Sequence, residues 1–225
     1  MPGSILENTV DPPLPPPQAH LTSAPFLAPH HDTLKNGARI TLYPITGGAS
    51  SLPPGLLAHL HAEFSAEIER GCTYPMEDVM SLDRFGEYWF GTFAVVALID
   101  EKEDDGTEGI GMRERDWERV CLGTFYIKPN YPAGRCSHIC NAGFLTCTAA
   151  RGLGTGSVMG ATYLSYAPKL GYKYSVFNLV FANNPASIRI WERLGFQVIG
   201  RVPQAARLRN SEELVDALIY GRALT

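Results

Sequence analysis

The stretch ARGLGTGS, residues 150–157, decides how the chain folds. NAGFLTC (141–147) before it is an apolar run of strand length, and GLGTGSVMGATYLSYAPKLG (152–171) reads as a helix. The glycines at 152, 154 and 156 therefore form a strand-to-helix turn. Without Cβ atoms the backbone there can approach an anion closely, and the N–H groups of a helix's first turn lack partners within the helix. The helix dipole adds only about 0.3–1 kcal/mol, less than several charge-assisted hydrogen bonds together, so the geometry of the turn outweighs net charge. A dinucleotide fingerprint fits poorly, because Ser157 stands where the third glycine belongs and no acidic residue follows about 20 residues on. The pattern GxxxxGK[ST] is absent. Alone, this stretch leaves two readings open, a polyphosphate cradle and a structural turn.

Outward from the turn, YSVFNLVF (174–181) reads as a strand, PASIRIWERLG (185–195) as a helix, FQVIGRV (196–202) as a strand, and LVDALIYG (214–221) as a last strand. On the N-terminal side, ITLYPI (40–45), TFAVVALID (92–100) and RVCLGTFYIKP (119–129) read as strands. A helix begins at Pro53 and Pro54, carries the stripe Leu56, Leu57, Leu60, Phe64 and Ile68, and closes at Gly71. A shorter helix falls within residues 73–90, and the charged residues 101–118 read as a solvated hairpin loop. This order is mixed α/β, with long antiparallel runs and a β-α-β-α-β core in the second half.

Arg151-x-x-Gly154-x-Gly156 matches the pyrophosphate loop of the GNAT acetyltransferases, and ASIRIWERLGF (186–196), with Asn184 ahead of it, resembles that superfamily's Asn-x-x-Ala-x-x-x-Tyr-x-x-x-Gly-Phe segment. Two motifs in order, separated by one helix and one strand, are far more specific than either alone. GTFYIKPNY, RCSHICNAGFL, LGYKYSVFNLVF and VDALIYG further resemble the fungal L-azetidine-2-carboxylate N-acetyltransferases, which act on proline analogues. The likeness runs from about Thr73 to Leu224. It implies a GNAT fold: a mixed, largely antiparallel twisted sheet, splayed between two central strands and flanked by helices. It also implies acetyl coenzyme A as donor and a homodimer. By resemblance, Arg151, Gly152, Leu153, Gly154, Thr155 and Gly156 hold the pyrophosphate. Backbone groups around Leu145 and Thr146 serve the pantetheine arm and the thioester carbonyl, as oxyanion donors do. Such a role constrains backbone shape, so Thr148 can stand where many relatives carry proline. Asn141, Asn178 and Leu179 line the amino-acid pocket, and Asn184 contacts the coenzyme or orients the reacting groups, so Asn178 and Asn184 are the catalytic candidates.

The residues themselves leave alternatives beside these roles. Asn178 interrupts an apolar strand, and a buried amide without partners costs about 1–3 kcal/mol, so it faces either a neighbouring backbone group or a substrate carboxylate. Asn184 equally suits a helix cap. CSHIC (136–140) spaces two cysteines and a histidine at every second position, about 6.6–6.8 Å apart on a strand, too far for zinc bonds of about 2.0–2.3 Å. No metal is expected there. The amine must be neutral to attack, which for a pKa of about 10.4 costs roughly 4–5 kcal/mol at pH 7, so a proton acceptor is needed. Asp216, His138 and a water chain are the candidates, with Asp216 equally a structural carboxylate. Trp191 stands where many GNAT members have a tyrosine acid, and indole N–H is no practical acid. A thiolate with a pKa near 8.5 leaves unprotonated at a loss of roughly 2 kcal/mol, and Trp191 also fits plain helix packing.

Composition bounds the rest. The 225 residues, 45% of them hydrophobic, suit one core-bearing domain. Residues 1–37 hold nearly half the prolines without periodicity and read as a mobile arm before a domain spanning 38–225. The arm has neither the basic start and apolar run of a secretory signal nor the arginines of a mitochondrial presequence. No window approaches the roughly 18 apolar residues of a membrane span. A net charge of -4 gives no reason to expect nucleic acid. Five scattered cysteines fit reduced thiols in a cytoplasmic protein. Two other readings stand beside a small-amino-acid acetyltransferase: a GNAT enzyme for protein N-termini or polyamines, and a catalytically silent coenzyme A sensor.

Overall fold

A computed structural model describes residues 27–101, 110–111, 113–131 and 134–224. Its strands are β1 (His30–Thr33), β2 (Arg39–Ile45), β3 (Phe93–Ile99), β4 (Cys121–Pro129), β5 (Ile139–Thr146), β6 (Tyr174–Phe181), β7 (Gln197–Ala206) and β8 (Val215–Ala223). Its helices are α1 (Pro54–Arg70), α2 (Leu82–Phe90), α3 (Trp117–Val120), α4 (Thr155–Lys169) and α5 (Pro185–Arg193). The strands form one sheet in the order β1-β2-β3-β4-β5-β6-β8-β7. Neighbours pair antiparallel except β5 and β6, which run parallel.

That parallel contact is short. Only Ile139 with Tyr174 and Cys140 with Ser175 are in register, and beyond them the strands part. The Tyr163 hydroxyl, from α4, sits 2.5 Å from Ser175 Oγ and 3.0 Å from Cys140 Sγ, fixing the point of divergence from above. Cys140 is thus the useful cysteine of CSHIC: burial pushes its thiol up to about 12, and it remains a hydrogen-bonded core group. Cys136 and His138 are exposed on the preceding turn.

Alternation along the strands sends side chains to two cores. One, under α4 and α5, contains Val95, Phe125, Tyr163, Phe177 and Trp191; the other, under α1 and α2, contains Leu56, Phe64, Trp89, Val96 and Leu98. The expected stripe on α1 is correct at Leu56, Leu60, Phe64 and Ile68, whereas Leu57 is half-buried at its edge. Gly71 closes α1 at φ 65, a left-handed position that suits glycine.

Three expectations need correction. The boundary at residue 37 cuts through a β-hairpin, because β1 pairs with β2 and the flanking Leu27 and Leu34 are buried in the core. Residues 1–26 of the expected arm lie outside the described residues. Residues 117–120 are a helical turn rather than the start of a strand, capped where Asp116 accepts from the Arg119 N–H. The charged excursion is only partly solvated: Ile110 and Trp117 are buried, and Glu114 accepts from the Gly55 N–H at 2.9 Å and Trp117 Nε1 at 2.6 Å. Residues 102–109 and 112 of it lie outside the described residues.

Candidate active site

Where β5 and β6 separate, a cleft of about 620 Å³ opens along both strands and under the N-termini of α4 and α5. Every binding or catalytic residue that the family resemblance implies lines it except Leu153, which packs against the core instead.

The glycine turn has the form an anion needs. Gly152 and Gly154 adopt φ 78 and 92, and Ser157 and Val158 donate to the Gly154 carbonyl at 3.0 and 3.2 Å, starting α4. Among the described residues, no acceptor engages the N–H groups of Gly152, Leu153, Gly154, Thr155 or Gly156. Thr155 turns its hydroxyl inward to the Ala150 carbonyl. The Arg151 side chain does not stand free over the turn: its Nη2 donates to Glu67 Oε2 at 2.7 Å. The overhanging cation is Lys35, from the β1–β2 turn, whose methylenes lie 3.6–3.7 Å from the place of a Cβ on Gly154. Its assignment to a mobile arm concealed it.

Backbone alternation sorts the β5 edge. The Cys147 N–H donates to Leu122 on β4, so odd-numbered residues of the strand, Leu145 included, turn their backbone groups to β4. Ala142, Phe144 and Thr146 turn theirs toward the gap. There the Ala142 N–H is taken by Asn141 Oδ1 at 2.7 Å, and the Phe144 carbonyl accepts from the Tyr74 hydroxyl at 2.8 Å. The N–H groups of Phe144 and Thr146 remain for a ligand. Of the expected pair, Thr146 therefore offers its backbone, while Leu145 reaches the cleft without doing so.

On the facing strand, pairing with β8 shifts register between Phe177 and Val180, leaving Asn178 and Leu179 without partners on either side. Asn178 exchanges two hydrogen bonds with Asn130, at 3.2 and 2.5 Å. Its neighbour is thus the Asn130 side-chain amide and not a backbone group, yet a primary amide so paired keeps one N–H and one lone pair for a ligand. Asn184 caps α5 by accepting from the Ser187 N–H at 3.2 Å, and its NH₂ is left over. Trp191 is buried, with its ring centroid 4.5 Å from Phe177 and 4.9 Å from Phe144, the packing alternative. Asp216 lies outside the cleft, held below the usual carboxylate range by the Gln204 N–H and Arg201. Neither it nor exposed His138 lines the site.

Sequence reasoning missed Glu67 and three tyrosines. Glu67 is buried beside the turn and accepts from Arg70, Thr73 and Arg151 at 2.6, 2.6 and 2.7 Å. Tyr88 and Tyr126 face the cleft with hydroxyls 3.2 Å apart, and Lys128 Nζ lies 4.3 Å from each ring. Burial pushes Lys128 down to about 8 and the three tyrosines up. Glu67 falls one residue before Ile68 of the apolar stripe, and no periodic signal marks it.

Residues 73–196, more than half of the chain, match the sequence profile of the Acetyltransferase (GNAT) family. The chain belongs to this family. It is 45% identical over 165 residues to N-acetyltransferase aca1 of Schizosaccharomyces pombe, covering 73% of this chain and 78% of that protein. It is 33% identical over 232 residues to Protein SPT10 of Saccharomyces cerevisiae, covering 88% of this chain but only 36% of that protein. The GCN5-related N-acetyltransferase from Kribbella flavida shares the fold at a TM-score of 0.65 and 24% identity, over 81% of this chain and 98% of that one. A phosphinothricin acetyltransferase from Sinorhizobium meliloti, solved with AcCoA, shares it at 0.60 and 16%, over 81% and 88%. This GNAT chain is an acetyl-CoA-dependent N-acetyltransferase.

Proposed function

We propose that this GNAT enzyme acetylates the amine of a small amino acid, with proline analogues such as L-azetidine-2-carboxylate as the substrate class. One observation carries the reading: Gly152, Gly154, Thr155 and Gly156, whose amides are uncommitted, line the same cleft as Asn141, Asn178 and the bulged backbone at Leu179. The first set suits a diphosphate, and the second a carboxylate. Acetyl coenzyme A, when bound, supplies the acetyl thioester. The chain's part is to hold the diphosphate on the glycine turn beneath Lys35, and to present the N–H groups of Phe144 and Thr146 along the strand edge. Donors placed there stabilise developing charge on a carbonyl oxygen.

The charge of the cleft favours an anionic acceptor. Glu67 is the one carboxylate among the described residues that line it, already matched by Arg70 and Arg151, while Lys35 adds further positive charge. A polyamine would meet no unmatched acid. Asn178 and Asn141 then hold the amino acid's carboxylate, and Asn184 steadies the coenzyme near α5.

The protein acts as a homodimer in the cytoplasm in this reading. β7 is an edge strand with exposed Val198, Ile199 and Val202, a surface suited to a second copy. The described cysteines are free thiols, and among the described residues no helix is long and apolar enough to cross a membrane.

Purified full-length chain, acetyl coenzyme A and a panel of azetidine-2-carboxylate, proline analogues, polyamines and peptides test this by thiol release. Release with the imino acids supports it; release only with polyamines or peptides overturns it. Asn178→Ala should raise KM for the amino acid far more than KM for acetyl coenzyme A, and equal effects would count against a carboxylate contact.

A further inference from the structure

Three metal-binding side chains outside the acetyl-transfer cleft converge at the end of β5. His59 comes from the middle of α1, Cys121 opens β4, and Cys147 follows the last residue of β5. Their donor atoms all lie within 4.8 Å of one another. The two sulfurs are 3.9 Å apart, and both cysteines are 1% exposed. His59 Nε2 is buried and has no hydrogen-bond partner among the described residues.

From these positions we infer that His59, Cys121 and Cys147 form a binding site for a divalent, thiolate-seeking metal ion of the zinc type. Two thiolates on one tetrahedral zinc, with bonds of about 2.3 Å, stand roughly 3.8 Å apart, which the two sulfurs match without rearrangement. Mixed sulfur and imidazole donors select zinc over magnesium or calcium. Binding releases one proton from each thiol to solvent, so the dication meets two thiolates and a neutral imidazole. The resulting complex carries no net charge, as a site between the buried cysteines and the apolar face of α1 demands. A disulfide would use the sulfurs but leave His59 Nε2 unpartnered.

The fourth position falls to a neutral water rather than to Glu63, one helical turn from His59 on α1, whose carboxylate would leave the complex negatively charged. Glu63 Oε2 already accepts from the Thr148 N–H and hydroxyl at 2.9 Å, so it sits beside Cys147. A metal here ties α1 to the segment 147–150 that leads into the glycine turn, and it acts on the position of that turn rather than on the substrate. The three residues are far apart in the sequence and follow no metal-binding spacing, so CSHIC drew attention while this cluster stayed invisible.

Tag-free full-length protein, purified under reducing conditions and analysed for metal, should hold about one zinc per chain. Cobalt(II) added to the metal-free protein should give a thiolate-to-cobalt charge-transfer absorption, a readout that needs no variant. Retained metal should fall to background in Cys147→Ser and His59→Ala, and stay unchanged in the exposed-cysteine variant Cys136→Ser. Absence of the cobalt band, or metal content unaltered in Cys147→Ser, would overturn the site. So would a mass short by two hydrogens mapping to a Cys121–Cys147 disulfide in metal-free protein.

Discussion

Replacing Gly154 with alanine separates the shape of the turn from its contents. Gly154 sits at φ 92 and ψ 2, immediately before α4. The added Cβ has room, because the nearest atoms are Lys35 methylenes at 3.6 and 3.7 Å, an ordinary contact. The cost is therefore conformational, about 1–2 kcal/mol for an L residue in the left-handed region. In a chain of this size 1 kcal/mol moves Tm by about 2–4 °C, so the variant should melt roughly 2–8 °C lower. The bonds from Ser157 and Val158 to the Gly154 carbonyl hold the turn in place, and coenzyme affinity should change little. A turn that relaxed instead would carry its amides off the diphosphate, and each charge-assisted bond lost, about 1.5–3 kcal/mol, weakens binding tenfold or more. Thermal unfolding and coenzyme A titration calorimetry on the same protein read both quantities. Gly156→Ala is the comparison: Gly156 has no positive φ, and its Cβ would meet the flexible tip of Ile190 at 3.1 Å and Thr146 Oγ1 at an ordinary 3.8 Å, so Tm should fall less. Unaltered Tm together with unaltered affinity in Gly154→Ala would refute the claim that the turn needs a left-handed residue to aim its amides.

Lys35→Ala should raise KM for acetyl coenzyme A about two- to fivefold, an effect that fades with added salt, and leave KM for the amine alone. Steady-state kinetics at two ionic strengths checks it. Asn130→Ala deprives Asn178 of its amide partner and should raise KM for the amino acid while KM for acetyl coenzyme A holds, by varying each substrate in turn. Lys128, lowered from 10.5 to about 8 by burial, binds fewer protons folded than unfolded between those values. Stability should therefore climb as pH rises from about 8 toward 10. Lys128→Met should raise Tm at pH 7 and flatten that climb, measured by thermal unfolding across the pH range.

What the sequence discloses depends on whether a residue's role is local. The glycine turn, α4, α5 and the apolar strands β3 to β6 follow from composition and spacing within one segment, and they stand where the sequence reading puts them. β1 does not: HHDT has no apolar alternation, and its stability comes from pairing with β2 and from Leu27 and Leu34 sinking into the core. A proline-rich surrounding thus outweighed four residues whose partner lies across a turn. Glu67 was hidden for the opposite reason. It lies on a well-read helix, but its meaning comes from Arg151, which stands 84 residues away in the sequence.

The same distinction refines the coenzyme contacts. Family resemblance points to the backbone near Leu145 and Thr146 as a region, whereas strand alternation assigns each residue a side. Leu145 is committed to β4 because Cys147, two residues on, donates to Leu122. Tyr74 then removes the Phe144 carbonyl from the open edge, and Asn141 removes the Ala142 N–H. What survives is a pair of donors, Phe144 and Thr146, with the acceptor between them already occupied. An edge so edited favours a ligand that presents carbonyl oxygens at two points, as the amides and thioester of an acylated pantetheine do. The tyrosine and the asparagine thus shape the site by closing alternatives along the strand edge.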